Sequence, residues 1–427
     1  MADTDIVITG AGALCAAGKQ PGEIWDTIRS GRSALSPIEQ WDSTEWPRRM
    51  AGEIAGLDPV ALLRDRKIQK LIRRSDVFGL YAADQAIESS GLGTHRDALD
   101  EAAAAEFNDR TGVYVGSGGG SYSSQYDYFP LLTAAAGDLK AFGRELGDTV
   151  NPMWLLRTLP NNVLCHVGIR HGLKGPNACI TNHSISGMLA VIEAMQAVQQ
   201  DEADRAVAVG HDAPIEPQVV LYFHELGLLA RDTIRSFDAQ RDGSLFGEGA
   251  AALVVESRDM AQQRGAPILG ELLGSGCAND SQGLLAIDDQ GEALADAIRQ
   301  ALEHARLRPT DVGMIVAHAN GTRQSDVSEA AALMRVFRRE PPPVTGFKWA
   351  FGHLIAASGI IETVAALSAL QAGSVPGIPT LRELDPACAG LPASSSASTP
   401  RSDIALVISR GFGGTNAALL VRASGRA

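Results

Sequence analysis

Short runs of β-branched and aliphatic residues alternate with alanine-rich stretches along the whole chain, and this alternation most constrains the fold. Strands are expected at residues 6–9, 111–116, 205–209, 251–255, 314–318 and 404–409. Helices are expected at 76–90, 185–200, 292–305, 326–337 and 360–371. Strands that are apolar on both faces need cover on both sides, and helices between them supply it, so the pattern specifies an α/β protein with buried sheets. The chain has 427 residues, too many for one ordinary core. A polar stretch at 258–265 separates a strand ending at Glu256 from a new strand expected from Pro267. Each side carries its own β/α series, so two similar halves, 1–257 and 258–427, are expected to pack together.

Hydrophobic residues make up 45% and charged residues 20%, a globular rather than a disordered composition. The net charge of -13 argues against nucleic acid as the main partner. No apolar run reaches the roughly 20 residues that span a bilayer. The opening MADTDIVITGAG has no basic region and no cleavage site, so no signal peptide is expected. Cys15, Cys165, Cys179, Cys277 and Cys388 are scattered and show no CxxC spacing, which favours a reducing cytoplasm over a disulfide framework or a zinc site. The PASSSASTP run at 392–400 is expected to be a surface loop.

Four segments could carry chemistry. In GPNACITNHSISG (175–187), small and polar residues lead into an amphipathic run. A side chain at a strand-to-helix junction lies near unpaired backbone N–H groups and the positive end of the helix dipole, which suits a nucleophile whose adduct develops an oxyanion. The plainer reading makes Ser184 a helix N-cap. In AHANGTRQSDVSE (317–329), His318 ends an apolar run and opens a polar turn, where α/β sheets place ligands; a structural histidine is the plainer reading. In KWAFGHLIAASGIIE (348–362), His353 follows Gly352 and precedes a small-residue helix, and otherwise merely caps it. In SRGFGGTN (409–416), three glycines around Phe412 can bring backbone N–H groups close to a ligand, although such turns are frequent.

Taken in order, IVITGAGALCAAG, GVYVGSGGG, GPNACITNHS, RSFDAQRDGSLFGEGAAALVVE, AHANGTRQSD, KWAFGHLIAASGIIE and SRGFGGTNAALLV resemble the β-ketoacyl synthases of the thiolase superfamily over almost the full length. The resemblance implies a thiolase-like fold with a layered α-β-α-β-α core. It implies an acyltransferase that takes an acyl chain from an acyl carrier protein and condenses it with a malonyl unit, in polyketide, polyene or fatty-acid synthesis. Counted from Gly175, the family's nucleophilic cysteine position is Ser184. His318 and His353 match the two family histidines, and Lys348 matches the lysine expected to pair with Glu329. Asn320 stands where a threonine usually positions the phosphopantetheine arm, while Thr322 is kept. Phe412 matches the gating residue; its N–H and that of Ser184 would form the oxyanion hole.

A serine hydroxyl is far more basic than a thiol, and dipole stabilisation of about 1 kcal/mol cannot ionise it. Ser184 therefore needs a general base, for which His318 and His353 are candidates. His183, where alanine is usual, is either a further base or a block in the tunnel. The alternatives to an active enzyme are a chain-length-factor-like partner subunit of an active ketosynthase and a decarboxylase without nucleophile. The basic run at 64–74, with Arg64, Arg66, Lys67, Lys70, Arg73 and Arg74, is a docking candidate for an acidic carrier protein, or otherwise a solvated face. A homodimer, or a heterodimer with another ketosynthase, is expected through the sheet near GVYVGSGGG. No cofactor or metal is implied.

Overall fold

In the computed structural model, residues 5–119, 128–338 and 340–425 are described. Gly120, the last residue of GVYVGSGGG, lies outside them. Among the described residues, the apolar runs form ten strands of one mixed sheet: β1 (Ile6–Cys15), β2 (Thr111–Ser117), β3 (Asn177–Ile180), β4 (Arg205–Asp212), β5 (Gly249–Ser257), β6 (Gly270–Asn279), β7 (Met314–Val316), β8 (Val344–Thr345), β9 (Ile404–Gly411) and β10 (Thr415–Ala423). Their spatial order is β8-β7-β9-β10-β6-β1-β5-β4-β2-β3.

That order is a repeat. β1-β5-β4-β2-β3 and β6-β10-β9-β7-β8 have the same sequence of pairings, antiparallel, antiparallel, parallel, parallel. The two sets join along β1 and β6 through Ile6 opposite Leu272, Val7 opposite Glu271 and Ile8 opposite Gly270. The expectation of two similar β/α halves is thus met in the topology, although residue identity does not reveal it.

Period-two alternation decides what each face buries. On β4 and β5, Val207, Val209, Ala250, Ala252 and Val254 join the cluster around helix α1 (Arg74–Ser90). Ala206, Ala208, Ala251, Leu253 and Val255 face the opposite way, into the central cluster. That cluster holds α2 (Ser186–Gln199) and α5 (Ser358–Ala372), which pack on each other between the two halves of the sheet. α3 (Glu292–His304) covers β6 and β10 from the far side, with α4 (Arg323–Phe337) beside it. The layers therefore run helix, sheet, helix, sheet, helix. The stretch Ile355–Ala372 is long and apolar enough to cross a bilayer, but it is a core helix, largely buried between the sheets.

Several local expectations shift. The run expected at 314–318 pairs only through Val316, so His318 stands two residues beyond the strand. The segment expected to be a polar link at 258–265 is a short helix, Arg258–Gln263, whose first turn is capped by Ser257. The run at 392–400 is an exposed loop.

Candidate active site

Three of the non-glycine residues with positive φ lie beside the residues singled out in the sequence. They are His183 (φ 47°), Ala319 (φ 46°) and Ile355 (φ 46°). Such conformations cost energy and persist where surrounding packing enforces them. Here the packing is glycine-thin. A Cβ on Gly187 would sit 2.3 Å from Ala356 O, and one on Gly116 would sit 2.3 Å from Gly187 N. The start of α2 is therefore pressed between β2 and the turn that precedes α5, which brings Ser184 and His353 together.

Ser184 does not cap α2. It lies in the 3-10 turn His183–Ile185, and the residue at the helix cap, Ile185, makes no side-chain capping bond. Ser186 holds the turn instead: Asn182 N–H donates to its Oγ (2.7 Å), and its hydroxyl donates to His183 O (2.8 Å). Ser409 Oγ donates to Ser184 O (3.1 Å). Ser184 is buried, and its Oγ lies 2.8 Å from His183 Nδ1 and 3.3 Å from His353 Nε2.

Neighbouring donors assign the tautomers of the two family-matched histidines. Ile355 N–H donates to His353 Nδ1 (3.1 Å), and Ser358 Oγ lies 2.9 Å from the same nitrogen. A nitrogen that accepts carries no proton, so neutral His353 bears its proton on Nε2 and donates toward Ser184 Oγ. Arg410 N–H likewise donates to His318 Nδ1 (3.3 Å), leaving Nε2–H to the cavity that His318 lines. The two rings stand edge to face with centroids 5.1 Å apart. Burial, followed by the positive charge of Lys348, holds both well below the usual histidine range, so both are neutral near pH 7. Burial alone lowers His183 to about 4.

Lys348 pairs with Glu362 (2.5 Å), not with Glu329 as expected, and its Nζ also donates to His318 O (2.6 Å). Glu329 is otherwise engaged: it accepts His318 N–H (2.7 Å) and Ala319 N–H (2.9 Å). Its two oxygens thus hold the αL turn after His318, while Glu362, on α5, takes the lysine. Both carboxyls are raised by burial, Glu362 to about 7.

Ser184, His183, His318 and His353 line a cavity of about 860 Å³, with Lys348, Glu329 and Glu362 outside its wall. Asn320 and Thr322 border it, with Asn320 Oδ1 accepting both Thr322 N–H (3.0 Å) and Thr322 Oγ1–H (2.9 Å). Phe412, in the turn joining β9 to β10, stacks on His183 at 4.7 Å between centroids. Phe223 packs against both rings, at 5.5 Å from Phe412 and 6.3 Å from His183. Sequence reasoning missed Phe223, for which no local signal exists. It also missed Ser358, which faces His353 five residues before it in the same motif, and Arg410, whose partner His318 lies far away in the chain.

The basic run is split. Arg64, Arg66, Lys67 and Lys70 are exposed. Arg73 is buried against Asp76 and Leu159 O, and Arg74 binds the buried Glu248. These two are structural and do not belong to a docking face, because the start of α1 turns them inward.

A repeated five-stranded sheet around two central helices, with the 3-10 turn of Ser184 at the start of one of them, defines the thiolase-like fold. The chain belongs to the β-ketoacyl synthase family: residues 3–261 match the model of its N-terminal domain and residues 269–382 that of its C-terminal domain. It is 30% identical over 428 residues to the 3-oxoacyl-[acyl-carrier-protein] synthase 2 of Coxiella burnetii, covering 97% of this chain and 98% of that one. It is 31% identical to the Nodulation protein E of Rhizobium leguminosarum bv. trifolii over 98% of this chain and 99% of the relative. Among solved structures it is similar to the ishigamide ketosynthase/chain length factor, with a TM-score of 0.86, 27% identity, and coverage of 99% of this chain and 100% of that one.

Proposed function

We propose that this protein is an acyltransferase of ketosynthase type that takes an acyl chain from an acyl carrier protein onto Ser184. It then condenses the chain with a malonyl unit or passes it to another acceptor. The observation that carries this reading is the position of Ser184 Oγ, between His183 Nδ1 (2.8 Å) and His353 Nε2 (3.3 Å), in the wall of a deep cavity. Attack of Oγ on the carrier's thioester carbonyl breaks the C–S bond, releases the carrier thiol and leaves an ester on Ser184. The Ser184 and Phe412 N–H groups are the proposed oxyanion hole. In the second half-reaction, the Nε2–H groups of His318 and His353 donate to the thioester carbonyl of the malonyl unit. Loss of CO2 leaves an enolate held by those donors; its carbon attacks the Ser184 ester carbonyl, the C–Oγ bond breaks, and the departing Oγ takes up a proton from solvent to restore the hydroxyl. Lys348 is a positioning residue, acting through the His318 carbonyl.

The nucleophile falls in an N-terminal half, 1–257, and both family-matched histidines fall in a C-terminal half, 258–427, a division that the repeated strand order supports. Intact-mass analysis after incubation with an acyl-loaded carrier protein tests the reading. A wild-type adduct that Ser184→Ala abolishes is expected; no adduct, or one that survives the substitution, overturns it.

A second reading has its own support. A similar solved structure is the ishigamide ketosynthase/chain length factor. In that case the protein pairs with an active ketosynthase and shapes its product tunnel. Purification as a homodimer that turns over alone counts against this role, whereas a tight heterodimer without independent activity favours it.

A further inference from the structure

The serine hydroxyl has one proton to lose and two imidazoles beside it, and the geometry separates their roles. His353 cannot take that proton in its assigned tautomer. Its Nδ1 receives Ile355 N–H and faces Ser358 Oγ, and its Nε2 already carries a hydrogen directed at Ser184 Oγ. His318 is fixed in the same sense by Arg410 N–H, and no hydrogen bond joins it to Ser184 Oγ. That leaves the residue immediately before the serine. The left-handed backbone of His183 (φ 47°) folds its ring back so that Nδ1 lies 2.8 Å from Oγ, the shorter of the two contacts. Phe412 stacks on one side of that ring, with Phe223 also parallel to it, so its plane is fixed by packing as well as by the hydrogen bond.

We infer that His183 is the general base that activates Ser184, forming a Ser–His dyad of adjacent residues, with His353 as hydrogen-bond donor rather than base. The inference rests on Ser184 being the acyl acceptor. It assigns the extra imidazole a task that a thiol at this position would not need. As Oγ attacks the thioester carbon, its proton passes to His183 Nδ1, giving an imidazolium. When the tetrahedral adduct collapses and the C–S bond breaks, that imidazolium returns the proton to the departing sulfur. The carrier leaves as a thiol, the serine becomes an ester, and His183 ends neutral. Its low basicity keeps it unprotonated and ready near pH 7.

The test uses a fluorophosphonate probe, which phosphonylates activated serines without any carrier protein, alongside the acyl-carrier assay. The wild type should be labelled at Ser184, read by peptide mass. His183→Asn keeps a polar group, tolerates the left-handed backbone and cannot take the proton; it should be labelled at least about 100-fold more slowly, the lower end of general-base contributions. His183→Ala should be as slow, and added imidazole should restore its rate. Changing the nucleophile to a thiol with Ser184→Cys in the His183→Asn background should bring back adduct formation with acyl-carrier protein. Labelling of His183→Asn at the wild-type rate overturns the dyad and leaves the acyl acceptor reading intact. Absence of label on the wild type overturns it as well. Labelling that depends on His183, with no adduct from any acyl-carrier protein, supports the dyad and overturns the carrier-protein reading instead.

Discussion

Lys348 and Glu362 meet where neither reaches water, both side chains being fully buried. Burying two charges costs several kcal/mol each, and their attraction offsets this only while both are present and hydrogen-bonded. Lys348→Met should therefore destabilise the fold by about 3–5 kcal/mol, because it strands a buried carboxyl. The double variant Lys348→Met/Glu362→Gln should recover much of that loss in urea denaturation. It should not recover acyl transfer or decarboxylation, since the His318 carbonyl still lacks its donor. A double variant no more stable than the single would show that the pair is not the unit. The lysine was legible in the sequence, but its partner was not: Glu329 and Glu362 both lie on buried helix faces, and only the tertiary arrangement gives Glu329 two backbone N–H groups and Glu362 the ammonium. Burial also sets a pH profile at this scale. His183 is lowered to about 4, so its neutral, proton-accepting form persists as pH falls and is lost only as pH drops through about 4. The groups it faces are Ser184, His353 and His318, the latter two also held neutral, with Lys348 behind them. The labelling rate should stay flat where an ordinary histidine, with a pKa of about 6.5, would protonate; a fall centred at about 6.5 would contradict the burial argument.

At the scale of elements, the site depends on how closely α2 approaches β2. Gly116 has ordinary strand geometry, so its importance is steric alone: an added Cβ would lie 2.3 Å from Gly187 N. Gly116→Ala must push the start of α2 off the sheet, at a cost of about 1–3 kcal/mol for overpacking. Displacing Ser184 by about 1 Å should lower the acylation rate by roughly 100-fold, more than the stability loss alone implies. Gly143→Ala is the contrast. That glycine lies in the helix Leu139–Thr149 with nothing within 4 Å of an added methyl, and alanine there should stabilise by about 0.5–1 kcal/mol. Equal melting shifts for the two variants would refute the close-packing argument. Elements with strong periodicity were legible to within a few residues: the helix expected at 76–90 is Arg74–Ser90, and the strand expected at 205–209 extends to Asp212. The start of α2 was not. The NACI residues form the short edge strand β3, and a 3-10 turn separates it from the helix, because the contacts of Gly116, Gly187 and Ala356 come from three distant segments and leave no local period.

For the whole molecule, the charge balance frames the encounter with a partner. The chain carries a net charge of -13, so an acidic carrier protein would be repelled on average and needs a local basic face. Arg64, Arg66, Lys67 and Lys70 offer one that is exposed, whereas Arg73 and Arg74 serve the fold. The basic run alone offers no means of separating these six cations, because the division follows from where α1 enters the core. Charge reversal should divide them by phenotype. Lys67→Glu/Lys70→Glu should raise the KM for an acyl-carrier protein about tenfold at low salt with kcat and melting temperature unchanged, the difference shrinking as added salt screens the encounter. Arg74→Glu should do the reverse: it places a second carboxylate against buried Glu248, whose oxygens also receive Ile54 N–H, and should lower the melting temperature first. A KM that Lys67→Glu/Lys70→Glu leaves untouched would move carrier docking off this face, and one that rises equally at high salt would mean that the substitutions act through structure rather than through the electrostatics of association.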